Sequence, residues 1–189
     1  MFNEDEFIQY VLYISNKFAD LNLYLTETKL YKILWFSNLR YADKYGALLI
    51  QDVFIKEPYG PVPEIGQEFI QSIIKSDTKT DGNIKITISF WGEIFNQKKS
   101  HKIEPVKKWD NDYISQNQKE VFDEIIKEYG NLNSKNLSDI THLNEAWKSG
   151  DDWKAIDITK DMTNENFKDI VAEEYNENIV LIKKIRYTL

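Results

Sequence analysis

The chain has 189 residues, 42% of them apolar and 14% aromatic, which allows one sizeable aromatic core and excludes a disordered or low-complexity protein. With 24 Lys and Arg against 31 Asp and Glu, the net charge of −7 disfavours non-specific nucleic-acid binding, which depends on neutralising phosphates. There is no cysteine, so disulfides, thiolate metal sites and Cys nucleophiles are excluded.

The opening MFNEDEF is acidic where a secretory leader would be basic, and no apolar run approaches the length of a membrane span, so the expected location is cytoplasmic. Asn3 with Glu6 fits a capping pattern ahead of the apolar stripe Phe7, Tyr10, Val11, Ile14 and Phe18, predicting a helix to about Asp20. A second helix starts near Thr26 or Thr28 and ends at Gly46. It is apolar on most faces (Leu30, Ile33, Leu34, Trp35, Leu39, Tyr41), as a central, buried helix is. The segment ALLIQDVFIK that follows reads as extended.

Then comes Gly60-Pro61-Val62-Pro63. Prolines disfavour helix at the residues before them, and Pro63 suits the first turn of a helix whose buried face is Ile65, Phe69, Ile70, Ile73 and Ile74. Amides at that helix start could hold an anion, but prolines 61 and 63 remove two of them. The favoured reading is a stiff turn that ends the extended segment and aims the helix.

IKITISFW alternates strictly and predicts a strand, with SHKIEPV as its return partner in a small hairpin. Ser115 with Gln118 forms a capping box for a helix that Gly130 terminates, with Val121, Phe122, Ile125, Ile126 and Tyr129 inward. A shorter helix covers SKNLSDITHL. Another opens at Thr163 with Phe167, Ile170, Val171 and Tyr175 on one face. The tail NIVLIKKIRYTL is β-prone and is expected to add to the sheet. The expected fold is one α+β domain over residues 1–189, predominantly helical, with a small antiparallel β-hairpin inserted.

Catalytic patterns are missing. The only histidines are His101 and His142, and no HExxH, GxSxG, GxGxxG or GxxxxGK[ST] occurs. The acid pairs Asp151/Asp152 and Glu173/Glu174 read as solvated charges. His142 lacks a nucleophile beside it and reads as a structural residue that bonds a backbone carbonyl near a helix end while Trp147 packs. The basic run Lys98, Lys99, His101, Lys102, Lys107 and Lys108 reads as a solvated hairpin edge that discourages sheet pairing. No cofactor, metal or small-molecule ligand is expected.

LYKILWFSNLRYADKYG followed by DVFIKEPYGPVPEI, and later LSDITHLNEAWK, resemble the two hallmarks of the Panacea antitoxin family, which includes SocA-like and phage GepA-like proteins. The residues that carry the likeness are Gly60, Pro61, Val62, Pro63, Thr141, His142 and Trp147. It extends over roughly residues 7–175 and leaves the tail 176–189 unplaced. The resemblance implies a mostly helical domain that neutralises the toxin of a toxin–antitoxin pair by direct contact. For some members it also implies an adaptor role, delivering the toxin to a protease such as ClpXP. A DNA-binding autorepressor is the alternative, against which the acidic balance weighs. With no catalytic set, the protein is expected to act by occupancy. Its candidate partner anchors are Trp91, Trp109 and Trp153, which lie in or beside polar, loop-like stretches.

Overall fold

The computed structural model describes residues 2–91 and 98–188, with the side chains of 88–91, 98–100, 185, 187 and 188 left aside. The first helix, α1 (Glu4–Asp20), starts at Asn3, whose side chain accepts from the Glu6 amide. Its Phe7, Tyr10, Val11, Ile14 and Phe18 are all buried. Helix α2 (Glu27–Tyr45) is capped by Thr26 and stopped by Gly46 at φ 67, a left-handed conformation that glycine adopts freely. It is the central element, packed against strand, hairpin and helical neighbours on most sides.

Two antiparallel two-stranded sheets accompany the helices. The expected hairpin is β3 (Ile84–Trp91) with β4 (Lys98–Pro105), in register Ile84↔Pro105 to Trp91↔Lys98. The other was not expected. Phe54–Glu57 (β1) pairs with Gly60–Pro63 (β2), and the chain reverses at Pro58 and Tyr59. Gly60-Pro61-Val62-Pro63 is therefore a fully buried strand rather than a turn. Pro61 and Pro63 donate nothing to a ladder, so this strand leans on α2, α3 and α5 around it. Residues 47–53, expected to be extended, instead run as loop.

Helix α3 (Glu64–Lys75) buries Ile70 and Ile73, with Ile65, Phe69 and Ile74 partly buried beside them. Pro63 is its N-cap residue and makes no side-chain cap. The cap comes from afar: the buried Asp52 carboxylate accepts from the amides of Ile65 (3.2 Å) and Gly66 (2.8 Å). The anion at this helix start is thus the chain's own carboxylate, which burial pushes up to about 6. A Cβ on Gly66 would stand 2.6 Å from the Phe7 ring, so α3 packs this closely on α1 because that position is bare.

Helix α4 (Gln116–Tyr129) carries the complete Ser115–Gln118 capping box. Helix α5 (Ser134–Thr141) is followed by the short α6 (Glu145–Ser149), whose first amides are taken by Asp161. Helix α7 (Glu165–Thr188) runs through the tail that strand propensity had marked for a sheet. Packing overrides propensity there: Ile182 is buried, Asn178 donates to Gln51, and Arg186 pairs with Glu64 at 3.0 Å and with Glu68. Val171 and Tyr175 face inward as expected, but Ile170 is exposed. Glu174 is not a solvated charge either, since it accepts from the Leu48 amide and from Gln51. Among the described residues no helix is long and apolar enough to cross a membrane.

Candidate functional site

The motif residues, far apart in sequence, meet beneath the tip of the β1–β2 hairpin. Gly60 sits at φ 100, and a Cβ there would be 2.2 Å from Thr141 Oγ1 and 2.9 Å from Lys32 Cε. Thr141 in turn donates to Ser138 O at 2.8 Å, and Ser138 Oγ donates to Tyr59 O at 2.9 Å. The two hallmarks therefore interlock: α5 presses on the backbone of β2 at the one residue without a side chain.

Below them lies Lys32 of α2, fully buried, whose ammonium donates to Pro61 O at 2.9 Å. Burial pulls its pKa down to about 7, against the opposing field of Glu57. Nothing in the sequence flags this lysine, because a Lys inside an apolar helix looks like any surface position until its neighbours are known.

His142 ends α5 and stacks on Trp147, ring centres 3.9 Å apart at 21°. Burial and the Lys32 charge hold its pKa below the usual histidine range, while a backbone bond with Pro58 works the other way. Its Nε2 is buried with no hydrogen-bond partner among the described residues. The Trp147 indole donates to Glu57 O at 3.3 Å, and Lys56 Nζ stands 4.6 Å over its ring. His142, Trp147 and Lys56 thus form one stack that ties the segment after α5 to β1.

That segment continues along the edge of β1 through an isolated bridge. The amide of Ile156 donates to Phe54 O, and Ala155 bridges Ile55. Trp153 N–H donates to Lys56 O (2.8 Å) while Lys56 N–H donates to Lys154 O (2.9 Å), so two residues oppose one in a β-bulge. Lys154 N–H returns to Asp151 O at 3.2 Å and closes a turn whose third residue is Trp153. Trp153 has φ 63. Turns and bulges of this kind place glycine or asparagine at that position. A tryptophan there costs about 1–2 kcal/mol in backbone strain, yet the residue is 64% exposed and recovers little by packing.

The three most exposed large apolar residues of the described chain are Leu143 (70%), Tyr59 (66%) and Trp153 (64%). Tyr59 forms the hairpin tip, Leu143 follows His142, the α5 C-cap residue stacked on Trp147, and Trp153 is bonded to β1. Sequence reasoning singled out Trp153 but missed Tyr59 and Leu143, which sit within the motifs and look like core. Trp109 is half-buried, packs edge-on against Tyr13 at 4.8 Å and donates to Asn111. Trp91 closes β3, and its side chain lies outside the described residues. His101, expected on a solvated edge, instead meets Glu27 of α2 at 2.8 Å. A cavity of about 480 Å³ between the end of α1 and α4 contains the Lys17–Asp123 ion pair and none of the motif residues. Among the described residues no group of three or more His, Cys, Asp or Glu is placed to hold a metal ion.

The arrangement is that of a mostly helical α+β domain whose distinctive residues build and present a surface. The family model described as antitoxin SocA-like, Panacea domain, matches residues 30–148, from α2 through α6. That is more than half of the chain, and the chain belongs to this antitoxin-like family. It matches no curated protein and no solved structure.

Proposed function

We propose that this protein is the antitoxin of a toxin–antitoxin pair and neutralises its cognate toxin by stoichiometric protein–protein binding. The working surface is the hairpin tip with Tyr59, Leu143 and Trp153. One observation carries this reading: an exposed tryptophan occupies a backbone position that favours glycine. Strain of that kind persists where the surrounding structure enforces it, and it concentrates at functional sites. Aromatic anchors also dominate interface energies, because they bury large apolar area at low rotamer cost. Membership of an antitoxin-like family supplies the class of partner. The mechanism is occupancy, with the toxin held on the surface rather than chemically changed.

Titrating the protein against the product of the neighbouring open reading frame, in a growth or activity assay, tests this. Protection that saturates near equimolar supports occupancy. Strongly substoichiometric protection that vanishes in cells lacking ClpXP supports the adaptor form of the same binding. Substoichiometric protection that persists without any protease would mean catalysis and overturn the reading.

A further inference from the structure

Trp153 is held in its strained turn from one side. The contacts converge on Lys56 of β1, whose side chain is only 14% exposed. Its ammonium has three N–H donors. They face Gly150 O at 3.0 Å, the Asp152 carboxylate at 3.2 Å and the Trp147 ring at 4.6 Å. Its backbone adds two bonds, accepting from Trp153 N–H and donating to Lys154 O. Every one of these partners lies in residues 147–154. Gly150 has no room for a side chain, since a Cβ would meet Ile156 Cγ2 at 2.7 Å, so the chain entering the turn is fixed as well.

We propose that Lys56 is a positioning residue that holds the Trp153 turn in the form the partner recognises. The claim rests on the binding reading above and names what sets the geometry of that surface. The chemistry is specific to a lysine. A compact ammonium can satisfy a carbonyl, a carboxylate and an aromatic face at once, on a stem that is largely buried. Methionine keeps the stem and loses all three. Without those contacts the ladder bonds alone must oppose the positive φ of Trp153, and the turn relaxes. The direct side-chain partners of Lys56 all lie in residues 147–152, so its loss is expected to act there first.

Lys56→Met in the full chain, with hydrogen exchange and partner affinity as readouts, tests the proposal. Exchange protection of the Trp153 amide should fall at least tenfold, while that of Leu34 in the middle of α2 stays at the wild-type value. Affinity for the neighbouring-frame product should fall about tenfold. In a Trp153→Gly background the same change should cost nothing further, because the residue being positioned is gone. Equal loss of protection at Trp153 and Leu34 would reduce Lys56 to a general stabiliser. An affinity loss that persists undiminished beside Trp153→Gly would make it a direct contact. Either result overturns the proposal. The exchange measurement needs no partner, so it decides the positioning claim even if the binding reading falls.

Discussion

The β3–β4 hairpin is built largely from local bonds, whereas the β1–β2 hairpin is held together by residues from all over the chain. At the base of β3, Asp81 accepts from the amides of Asn83 and Ile84, and Thr80 donates to Ile84 O, all within four residues. Its alternation puts Ile84 and Ile86 into the core, Ile86 opposite Ile103. In β1–β2, by contrast, Pro61 O is held by Lys32, Tyr59 O by Ser138, Glu57 O by Trp147, and the Phe54 amide by Tyr175. A strand made of prolines and a buried glycine has almost no pairing of its own to offer. Lys32 reaches that strand directly, and three more segments hold the turn and the strand it pairs with.

The difference explains what could be read in advance. Local devices were legible: the Asn3 and Thr26 caps, the Gly46 stop, the Ser115–Gln118 box and the alternation of β3 all act within a few residues of themselves. Distant devices were not. Asp52 caps α3 and Asp161 caps α6 across gaps that sequence spacing does not encode. Asp43 likewise holds the amides of Thr163 and Asn164 ahead of α7. The tail reads as strand when its β-branched residues are taken without their helical neighbours. Of the candidate site, the motif residues were visible by resemblance, but their convergence on Lys32 and the placement of Tyr59 depend on tertiary contact.

The contrast between the hairpins can be broken with one glycine from each. Gly60→Ala should destabilise by about 3 kcal/mol or more, because a positive φ and a 2.2 Å approach to Thr141 act together. Gly82→Ala, beside β3, shares the positive φ but meets nothing within 4 Å, and should cost only about 1 kcal/mol. Denaturant midpoints measure both. Equal losses would show that the β1–β2 hairpin is no more clamped than the other.

Lys32 sharpens the contrast through pH. Unfolded, a lysine keeps its proton to about pH 10.4, whereas buried beneath Pro61 it releases it near 7. Above pH 7 the unfolded chain therefore binds more protons, and stability rises with pH. Between pH 7 and 8 the wild-type slope should exceed that of Lys32→Met by up to one proton, about 1.4 kcal/mol per pH unit. Lys29, pulled down to about 8 by burial, adds a slope of the same sign at higher pH and remains in the variant. Parallel stability profiles over that unit would place the Lys32 amine outside the clamp.

The most direct test of the account is Trp153→Gly, measured for stability and for neutralisation on the same preparation. Glycine relieves the backbone at φ 63 and removes the side chain of a residue that is 64% exposed. The predicted result is a protein more stable by about 1 kcal/mol, with affinity for its partner weakened by about 2 kcal/mol, or roughly thirtyfold. A variant that gains stability and still neutralises at equimolar ratio would contradict the central claim, because the strain at Trp153 would then serve no partner.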